Sequence, residues 1–301
     1  MTDESTLRVG VVGTSFWATE AHAKGVRLTP GAELVGMWGR DADRTAAAAH
    51  KVGTQPFTDY DAFLDAVDVV TFSVPPDVQA RLALAAAQRG KHLLLEKPLA
   101  LGVQDARALA RAAAEAGVRT AVFFTGSYTP ERRAWLDELA VGDYRGGGWA
   151  VLLAAAFEPG SPFDTPWRHD KGALWDVGPH ILAALIEALG PVDRVVAAQA
   201  GPRGQTHLTL RHTSGASSTV TATLEAPPAA STTELTIWGE DGLQRMPGSP
   251  SPVEQTFATA LTELLSCIAS GEAHRLDAGF GARVVEVLAE AEERIRESAA
   301  G

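Results

Sequence analysis

A chain of 301 residues is long for a single hydrophobic core, so its length suggests two domains. Hydrophobic residues make up 46% of the chain and charged residues 21%, which is typical of a globular protein and excludes a disordered or fibrous one. The net charge of −11 would repel a phosphate backbone over most of the surface, so we expect no nucleic-acid partner.

Short apolar runs alternate with amphipathic segments over residues 7–124. The runs LRVGVV, ELVGMW, VDVVTFSV, KHLLLE and RTAVFF are typical of buried strands, and the segments at about 17–28, 41–51, 76–89 and 102–117 have helical patterns. Strict alternation of strand and helix implies crossover connections, and therefore a parallel sheet covered on both faces. We predict a doubly wound α/β domain over residues 1–124.

The turn after the first strand is suited to the diphosphate of a dinucleotide. VGVVGTSFWATEAH joins a strand to a helix N-terminus, where backbone N–H groups bind phosphate in Rossmann domains. The G-x-G-x-x-G/A fingerprint becomes Gly13-Thr14-Ser15-Phe16-Trp17-Ala18. Ser15 replaces the second glycine, so its hydroxymethyl group either crowds the ligand or donates a hydrogen bond to it. The alternative is a tight turn between strand and helix that binds nothing.

The end of the second strand bears on the choice of cofactor. An acidic residue there binds the ribose 2′-hydroxyl of NAD, whereas an arginine accommodates the 2′-phosphate of NADP. The sequence has Gly39 followed by Arg40. Because a planar guanidinium suits phosphate, we expect NADP in preference to NAD. The alternative is that Arg40 is an ordinary surface arginine and that Asp41 caps the following helix.

Glu96-Lys97-Pro98 follows three leucines at the end of the strand KHLLL. The carboxyl ends of parallel strands face the ligand crevice, so this tripeptide should lie beside the nicotinamide ring if the diphosphate lies at Gly13. Pro98 ends the strand, which needs no further N–H there. The chain has five lysines against 21 arginines. We therefore favour a functional Lys97 over a solvated strand end paired with Glu96.

The pattern changes after a helix at about 130–141. GGGWAVLLAAAF, RVVAAQAG, QTHLTLRHT, SSTVTATLE and STTELTIWG are typical of strands, and several alternate apolar with polar residues. Such alternation indicates an antiparallel sheet with one solvent-exposed face. Two helices follow, at about 252–270 and 279–297. We predict an α+β domain over residues 125–301 on a largely antiparallel open sheet, with the option that the C-terminal helix packs back on the first domain.

The helix that begins in ALWDVGPHILAALIEALG carries two candidate residues. Pro179 belongs in its first turn, where a missing N–H costs little. Asp176 and His180 are four residues apart, so they share a face if both are helical. The positive end of the helix dipole favours a neutral histidine, which suits a base at pH 7. The alternative is that His180 is a hydrogen-bonded core residue.

Two stretches resemble the Gfo/Idh/MocA oxidoreductases, which include glucose-fructose oxidoreductase and inositol dehydrogenase. They are SVPPDVQARLALAAAQRGKHLLLEKPLA at 73–100 and WRHDKGALWDVGPHILAAL at 167–185. The resemblance implies that Lys97 contacts the substrate hydroxyl and stabilises negative charge on its oxygen. It implies that Asp176 holds a neighbouring hydroxyl and that His180 carries the proton, with Lys97 as the other possible carrier.

Three departures from that family's pattern bear on the substrate. A G-G-G before A-L-x-D is replaced by Lys171-Gly172, the histidine after the fourth-strand prolines is Gln79, and N-x-R-F-x-P reads as TGSYTP at 125–130. A polar substrate contact is therefore missing or changed, so the substrate is the least transferable property.

These patterns lead us to expect an NAD(P)-dependent dehydrogenase or reductase acting on a secondary alcohol or ketone of a sugar, polyol or cyclic diol. The expected cofactor contacts are Gly13, Thr14, Ser15, Phe16, Trp17, Arg40, Ser73, Pro75, Glu96 and Lys97, and the expected substrate contacts are Lys97, Lys171, Asp176 and His180. The rival hypothesis, motivated by Ser15 and TGSYTP, is a non-catalytic nucleotide- or sugar-binding regulator with the same fold.

The remaining expectations concern partners and location. The apolar run WAVLLAAAF has nine residues against the roughly 20 that a membrane span needs, and no signal-peptide pattern is present. We therefore expect a cytoplasmic protein without a membrane partner. Cys267 has the spacing of a core residue, and the eight histidines lack metal-site spacing, so no metal is expected. The Thr-rich outer face of TVTATL suggests a homodimer or homotetramer.

Overall fold

The structure is a computed structural model that describes residues 6–300 as two compact units. The first unit ends at Tyr128 and resumes over Ser251–Ala282, and the second comprises Thr129–Pro250 and the residues from Arg283 onward. Residues 6–124 of the predicted nucleotide domain thus fall in the first unit. The segment Ser251–Ala282, which we expected in the second domain, also belongs to the first.

The first unit is built on a six-stranded parallel sheet. Its strands are β1 (Leu7–Val12), β2 (Ala32–Trp38), β3 (Gln55–Phe57), β4 (Val69–Phe72), β5 (His92–Leu95) and β6 (Thr120–Val122), in the order β3-β2-β1-β4-β5-β6. Every neighbouring pair is parallel. The order reverses between β1 and β4, which is where ligands bind in sheets of this kind. The predicted doubly wound class is confirmed.

The helices of this unit follow the strands in turn. A π-helical turn at Ala18–Ala23 leads into α1 (Lys24–Leu28), followed by α2 (Ala42–Val52), α3 (Tyr60–Ala66), α4 (Pro76–Gln88) and α5 (Val103–Glu115). The sequence pattern did not reveal β3 or α3. β3 has three residues, none of them buried, and α3 has seven, so neither is long enough to show a period. Asp59 caps α3 by accepting hydrogen bonds from two backbone N–H groups.

Helix α9 (Val253–Ser270) packs on the first unit through Phe257. The Phe257 ring lies 5.2 Å from the ring of Phe123, which follows β6, and 4.5 Å from that of His22. Gly25 lets α1 come close, because a Cβ there would lie 2.4 Å from the Phe257 ring. The amphipathic pattern of α9 shows that one face is buried but not which sheet it covers, so its assignment to the second domain could not be corrected from sequence.

The second unit is built on a six-stranded mixed sheet. Its strands are β7 (Gly147–Leu153), β8 (Val192–Gly201), β9 (Gln205–His212), β10 (Ser217–Thr223), β11 (Thr232–Gly239) and β12 (Gly242–Arg245), in the order β12-β11-β7-β10-β9-β8. The β7–β10 pair is parallel and the other pairs are antiparallel. The predicted largely antiparallel sheet is confirmed.

Four helices accompany this sheet: α6 (Pro130–Val141), α7 (Pro166–Asp176), α8 (Gly178–Leu189) and α10 (Ala278–Ala300), whose first turn belongs to the first unit. Nine of the twelve residues of α8 are buried, so it forms much of the core. Residues 166–189 are long and apolar enough to cross a membrane, but 72% of the qualifying window is buried inside the structure. Such burial is typical of core helices.

Cys267 is half-buried rather than in the core. The buried stripe of α9 ends at Leu264, almost one turn before it. Burial and the nearby carboxylates of Glu263 and Glu272 raise the pKa of its thiol. Among residues 6–300 no group of three or more His, Cys, Asp or Glu side chains is placed to hold a metal ion.

Candidate functional site

A cavity of about 680 Å³ opens in the first unit at the carboxyl ends of β1, β2 and β4. Its volume is within the range of about 300–1,000 Å³ that small-molecule and cofactor sites occupy. Seven of the predicted cofactor contacts line it: Gly13, Thr14, Ser15, Phe16, Arg40, Ser73 and Pro75. The other three, Trp17, Glu96 and Lys97, are not part of its wall.

The turn after β1 lies against the end of β4. Gly13 has φ 129°, and a Cβ there would lie 2.3 Å from the carbonyl oxygen of Ser73, so only glycine fits. Ser15 is exposed and its Oγ accepts a hydrogen bond from the Ala18 N–H at 3.3 Å. The same Oγ lies 3.3 Å from Ser73 Oγ. The serine at the second-glycine position therefore caps the helical turn and faces the end of β4.

Gly39 is required by close packing at the end of β2. A Cβ at this position would lie 2.4 Å from Thr45 Oγ1 and 2.8 Å from Thr14 Cγ2. No side chain fits there without movement of both neighbours. The absence of the acidic residue that would bind a ribose 2′-hydroxyl thus has a packing reason in addition to any preference for cofactor.

Three cationic side chains, Arg40, Arg44 and Lys51, line the cavity beside Gly39. The two guanidinium groups have no hydrogen-bond or ion-pair partner within residues 6–300, whereas Lys51 Nζ lies 2.7 Å from Glu20 Oε1. Lys24 and Lys51 lower the pKa of Glu20 to about 2. Of these three residues, only Arg40 was predicted from the sequence. The signal for the other two was their spacing, since positions 44, 47, 48 and 51 share one face of α2.

The Glu96-Lys97-Pro98 turn after β5 is held by Gln79 of α4. The Gln79 amide is fully buried, and its Nε2 donates to the carbonyl oxygens of Glu96 at 2.8 Å, Leu99 at 3.2 Å and Pro98 at 3.3 Å. Its Oε1 accepts from the Glu96 N–H at 2.8 Å. One side chain thus fixes the main chain on both sides of Lys97. Gln79, which we noted as a departure from the family's pattern, is a structural support of this turn.

The predicted residues Asp176 and His180 lie in the second unit on separate helices. Asp176 ends α7 and His180 is in the first turn of α8, with Val177 between the helices. Asp176 is buried and its Oδ2 accepts a hydrogen bond from Arg168 Nε at 2.9 Å. His180 is half-buried. Val177 keeps helical backbone angles (φ −101°, ψ −22°) and its carbonyl oxygen accepts from the Ile181 N–H at 3.3 Å, so the shared face of Asp176 and His180 stays a prediction.

Arg168 was not predicted from the sequence as a site residue. Its guanidinium carbon lies 4.8 Å from the ring centroid of Trp167 and 5.4 Å from that of Phe163, and its Nη1 donates to Thr165 Oγ1 at 3.1 Å. These contacts fix the guanidinium that binds Asp176. Lys171, a predicted substrate contact, has its Nζ 3.9 Å from Glu292 Oε1 on α10. The only sequence signal for Arg168 was a cation eight residues before the expected aspartate.

Two family models match the chain. Residues 7–124 match the oxidoreductase family model with an NAD-binding Rossmann fold, and residues 133–244 match the GFO/IDH/MocA C-terminal domain. Together these two segments cover most of the chain, in the order in which the family has them.

Curated relatives match over part of their length. The chain is 32% identical to dTDP-3,4-didehydro-2,6-dideoxy-alpha-D-glucose 3-reductase of Streptomyces violaceoruber over 63% of this chain and 56% of that one. It is 32% identical to 1,5-anhydro-D-fructose reductase of Ensifer adhaerens over 58% of this chain and 54% of that one. The match therefore spans little more than half the length of these relatives.

Solved structures match over the whole chain. An oxidoreductase domain protein from Kribbella flavida has 25% identity and a TM-score of 0.88, covering 98% of both chains. A levoglucosan dehydrogenase in complex with NADH and levoglucosan has 20% identity and a TM-score of 0.84, covering 97% of both chains. At this identity the similarity establishes only a shared fold. From the two matched models, together with the parallel sheet and cavity of the first unit and the mixed sheet of the second, we conclude that the chain belongs to the Gfo/Idh/MocA family of NAD-binding oxidoreductases.

Proposed function

We propose that the protein is an NAD(P)-dependent oxidoreductase acting on a secondary alcohol or ketone of a sugar, polyol or cyclic diol. The observation that carries this proposal is the position of the Lys97 turn, because β5 is hydrogen-bonded to β4, whose end lines the nucleotide cavity. The names of relatives that are sugar reductases support the substrate class.

The residues of the cavity fit a dinucleotide with a 2′-phosphate. Gly13, Thr14 and Ser15 line the cavity just before the helical turn, and backbone N–H groups at a helix N-terminus bind anions such as a diphosphate. The guanidinium groups of Arg40 and Arg44 are exposed in the cavity wall and available for the phosphate. We therefore propose NADP as the preferred cofactor, with NAD as the alternative.

Each predicted catalytic residue has a role that its chemistry allows. Bound nicotinamide would supply hydride transfer to or from the carbinol carbon. The Lys97 ammonium donates a hydrogen bond to the reacting oxygen and stabilises negative charge on it. His180 takes or returns the proton of that oxygen. The Asp176 carboxylate, held by Arg168, accepts a hydrogen bond from a neighbouring hydroxyl and so orients the sugar ring.

The proposal is tested by cofactor binding and turnover with Lys97→Ala. Fluorescence titration of the purified protein with NADPH and NADH should show saturable binding, tighter for NADPH. Turnover against a panel of sugars, inositols, cyclic diols and a nucleotide-linked deoxyketosugar should fall about 100-fold or more in Lys97→Ala. Lys91→Ala is the matched control, because Lys91 Nζ donates to the Val67 carbonyl oxygen away from the cavity.

Binding of neither nucleotide would contradict the proposal and favour the non-catalytic regulator. Near-normal turnover of Lys97→Ala on a good substrate would remove Lys97 from the mechanism. To assign the proton carrier, the pH dependence of kcat is compared in His180→Gln and wild type. If the variant loses the change in kcat near pH 6.5, the ordinary pKa of a histidine, His180 is the proton carrier. If the variant keeps that change, Lys97 is the carrier.

We also propose that the second unit associates with a copy of itself through the outer face of its sheet. Three large apolar side chains on β7, β11 and β12 are exposed: Trp149 by 39%, Trp238 by 48% and Leu243 by 50%. Thr219 lies beside Trp149 on the neighbouring strand. Clusters of exposed apolar side chains are typical of interfaces between identical subunits.

A further inference from the structure

The π-helical turn after β1 brings two distant side chains onto one face. It spans Ala18–Ala23, and Trp17 and His22 lie five residues apart across it. In an α-helix, five residues rotate the side-chain direction by about 140° from a shared face, because each residue turns about 100°. In a π-turn the hydrogen bonds join residues i and i+5, so these positions come together, and such turns are frequent at functional sites.

Both side chains meet the same carboxylate oxygen. Trp17 Nε1 donates to Glu96 Oε1 at 2.7 Å, and His22 Nε2 lies 3.2 Å from that oxygen. The other oxygen, Glu96 Oε2, accepts from the backbone N–H of Lys97 at 3.2 Å. His22 is fully buried and the Glu96 side chain is 13% exposed. The carboxylate thus links the π-turn to the main chain of Lys97.

The far side of the imidazole is also fixed. His22 Nδ1 lies 2.5 Å from Thr71 Oγ1 on β4, and the ring lies 4.5 Å from the Phe257 ring and 6.3 Å from the Phe123 ring. An ionised carboxylate only accepts hydrogen bonds, so His22 Nε2 carries a hydrogen toward Glu96. In the neutral imidazole Nδ1 is then an acceptor, and the Thr71 hydroxyl donates to it. The Thr71 hydroxyl therefore donates to His22, and His22 and the Lys97 N–H both donate to the Glu96 carboxylate, one to each oxygen.

We propose that His22 and Trp17 are positioning residues that act through Glu96 to set the main chain of Lys97. Together with Gln79, they hold the turn from Glu96 to Leu99 from two sides. Neither side chain needs to touch cofactor or substrate to do so. The catalytic consequence rests on the proposed function of Lys97, but the positioning of its backbone does not.

The first test is hydrogen exchange in the protein without ligand, which needs no activity. The Lys97 N–H is protected by Glu96 Oε2, so Trp17→Phe, which keeps an aromatic ring but loses the donor, should speed exchange of that amide about tenfold. His22→Leu should do the same, and His22→Gln, whose amide can donate to Glu96, should restore most of the protection. Unchanged Lys97 exchange in both Trp17→Phe and His22→Leu would overturn the proposal.

Amides of β1 report whether the fold is intact, and their exchange should not change in Trp17→Phe. The matched control is Trp135→Phe, in the second unit. Trp135 is buried, and its Nε1 has no hydrogen-bond partner among the residues that the structure describes. The Trp135→Phe substitution should leave hydrogen exchange of the Lys97 amide unchanged. A comparable acceleration in this control would show that loss of a buried indole loosens the protein generally, and would also overturn the proposal.

The second test is a double-mutant cycle on turnover. Trp17→Phe should lower kcat about tenfold in the wild-type background, with the Kd of NADPH changed less than twofold. In the Lys97→Ala background it should have no further effect, because it acts only through Lys97. Additive losses would contradict positioning. If exchange responds as expected but no variant shows turnover with any substrate, the proposed function fails while the positioning of Lys97 stands.

Discussion

Removal of the cavity's two guanidinium groups should change cofactor selectivity by about two orders of magnitude. Arg40 and Arg44 both line the cavity and are exposed. A hydrogen bond to a charged group contributes about 1.5–3 kcal/mol, and exposure to solvent and salt places each of these near the lower limit. At about 1.4 kcal/mol for a tenfold change in Kd, each single alanine variant should weaken NADPH about tenfold and the double variant about 100-fold.

The assay is a fluorescence titration of NADPH and NADH against wild type, Arg40→Ala, Arg44→Ala and the double variant at fixed ionic strength. The Kd of NADH should change less than about threefold, because NADH has no 2′-phosphate. Arg111→Ala is the matched control, since Arg111 is an exposed arginine of α5 that faces Glu115 at 3.9 Å. Equal weakening of both nucleotides, or tighter binding of NADH by wild type, would refute the assignment of these arginines to a 2′-phosphate.

Three further predictions concern the second unit. Arg168→Met removes the donor to Asp176 Oδ2, so kcat should fall about tenfold or more while the Kd of NADPH is unchanged; an equal loss of cofactor binding would contradict this. Trp149→Glu places a charge on the open face of the second sheet. Light scattering should show a dimer or tetramer for the wild type and a smaller species for this variant. A monomeric wild type at micromolar concentration would refute association. Burial lowers the pKa of His212, so the folded state binds fewer protons than the unfolded state. The free energy of unfolding should therefore fall as pH drops below about 6.5. In denaturant titrations at pH 7 and 5.5, His212→Gln should reduce this change in unfolding free energy with pH, and an unchanged difference would contradict the prediction.

Most of the regular structure could be predicted because it follows from the chain's own periodicity. Continuous apolar runs identified the buried parallel strands, and alternation identified the strands of the second sheet. The short elements β3, α3 and β12 were not predicted, since no residue of β3 or β12 is buried and only two residues of α3 are, so they carry no apolar run. The placement of α9 on the first unit depends on the fit of Phe257 against Gly25 and Phe123, which no local pattern encodes.

Site residues could be predicted from the sequence where they lie at the end of a strand or in the turn that follows it. Gly13, Arg40 and Ser73 line the cavity for that reason. Side chains that stabilise the site from a distant part of the chain were not predictable. Gln79 reads in the sequence as a departure from the family's pattern, yet its side chain fixes the turn around Lys97. The hydrogen bond from the Trp17 indole to Glu96 could not be predicted either, because the π-turn that directs the indole there leaves no sign in the sequence.

Lys97 and His180 are the two residues that we propose to act on the substrate oxygen, the first by stabilising charge and the second by carrying the proton. This proposal is tested most directly by a crystal structure of the protein with NADPH and a turned-over substrate or its product. We expect Nζ of Lys97 and a ring nitrogen of His180 each to lie within about 3 Å of the same oxygen, at hydrogen-bonding distance. Electron density that places those two nitrogens on opposite sides of the molecule, with no ligand between them, would contradict it.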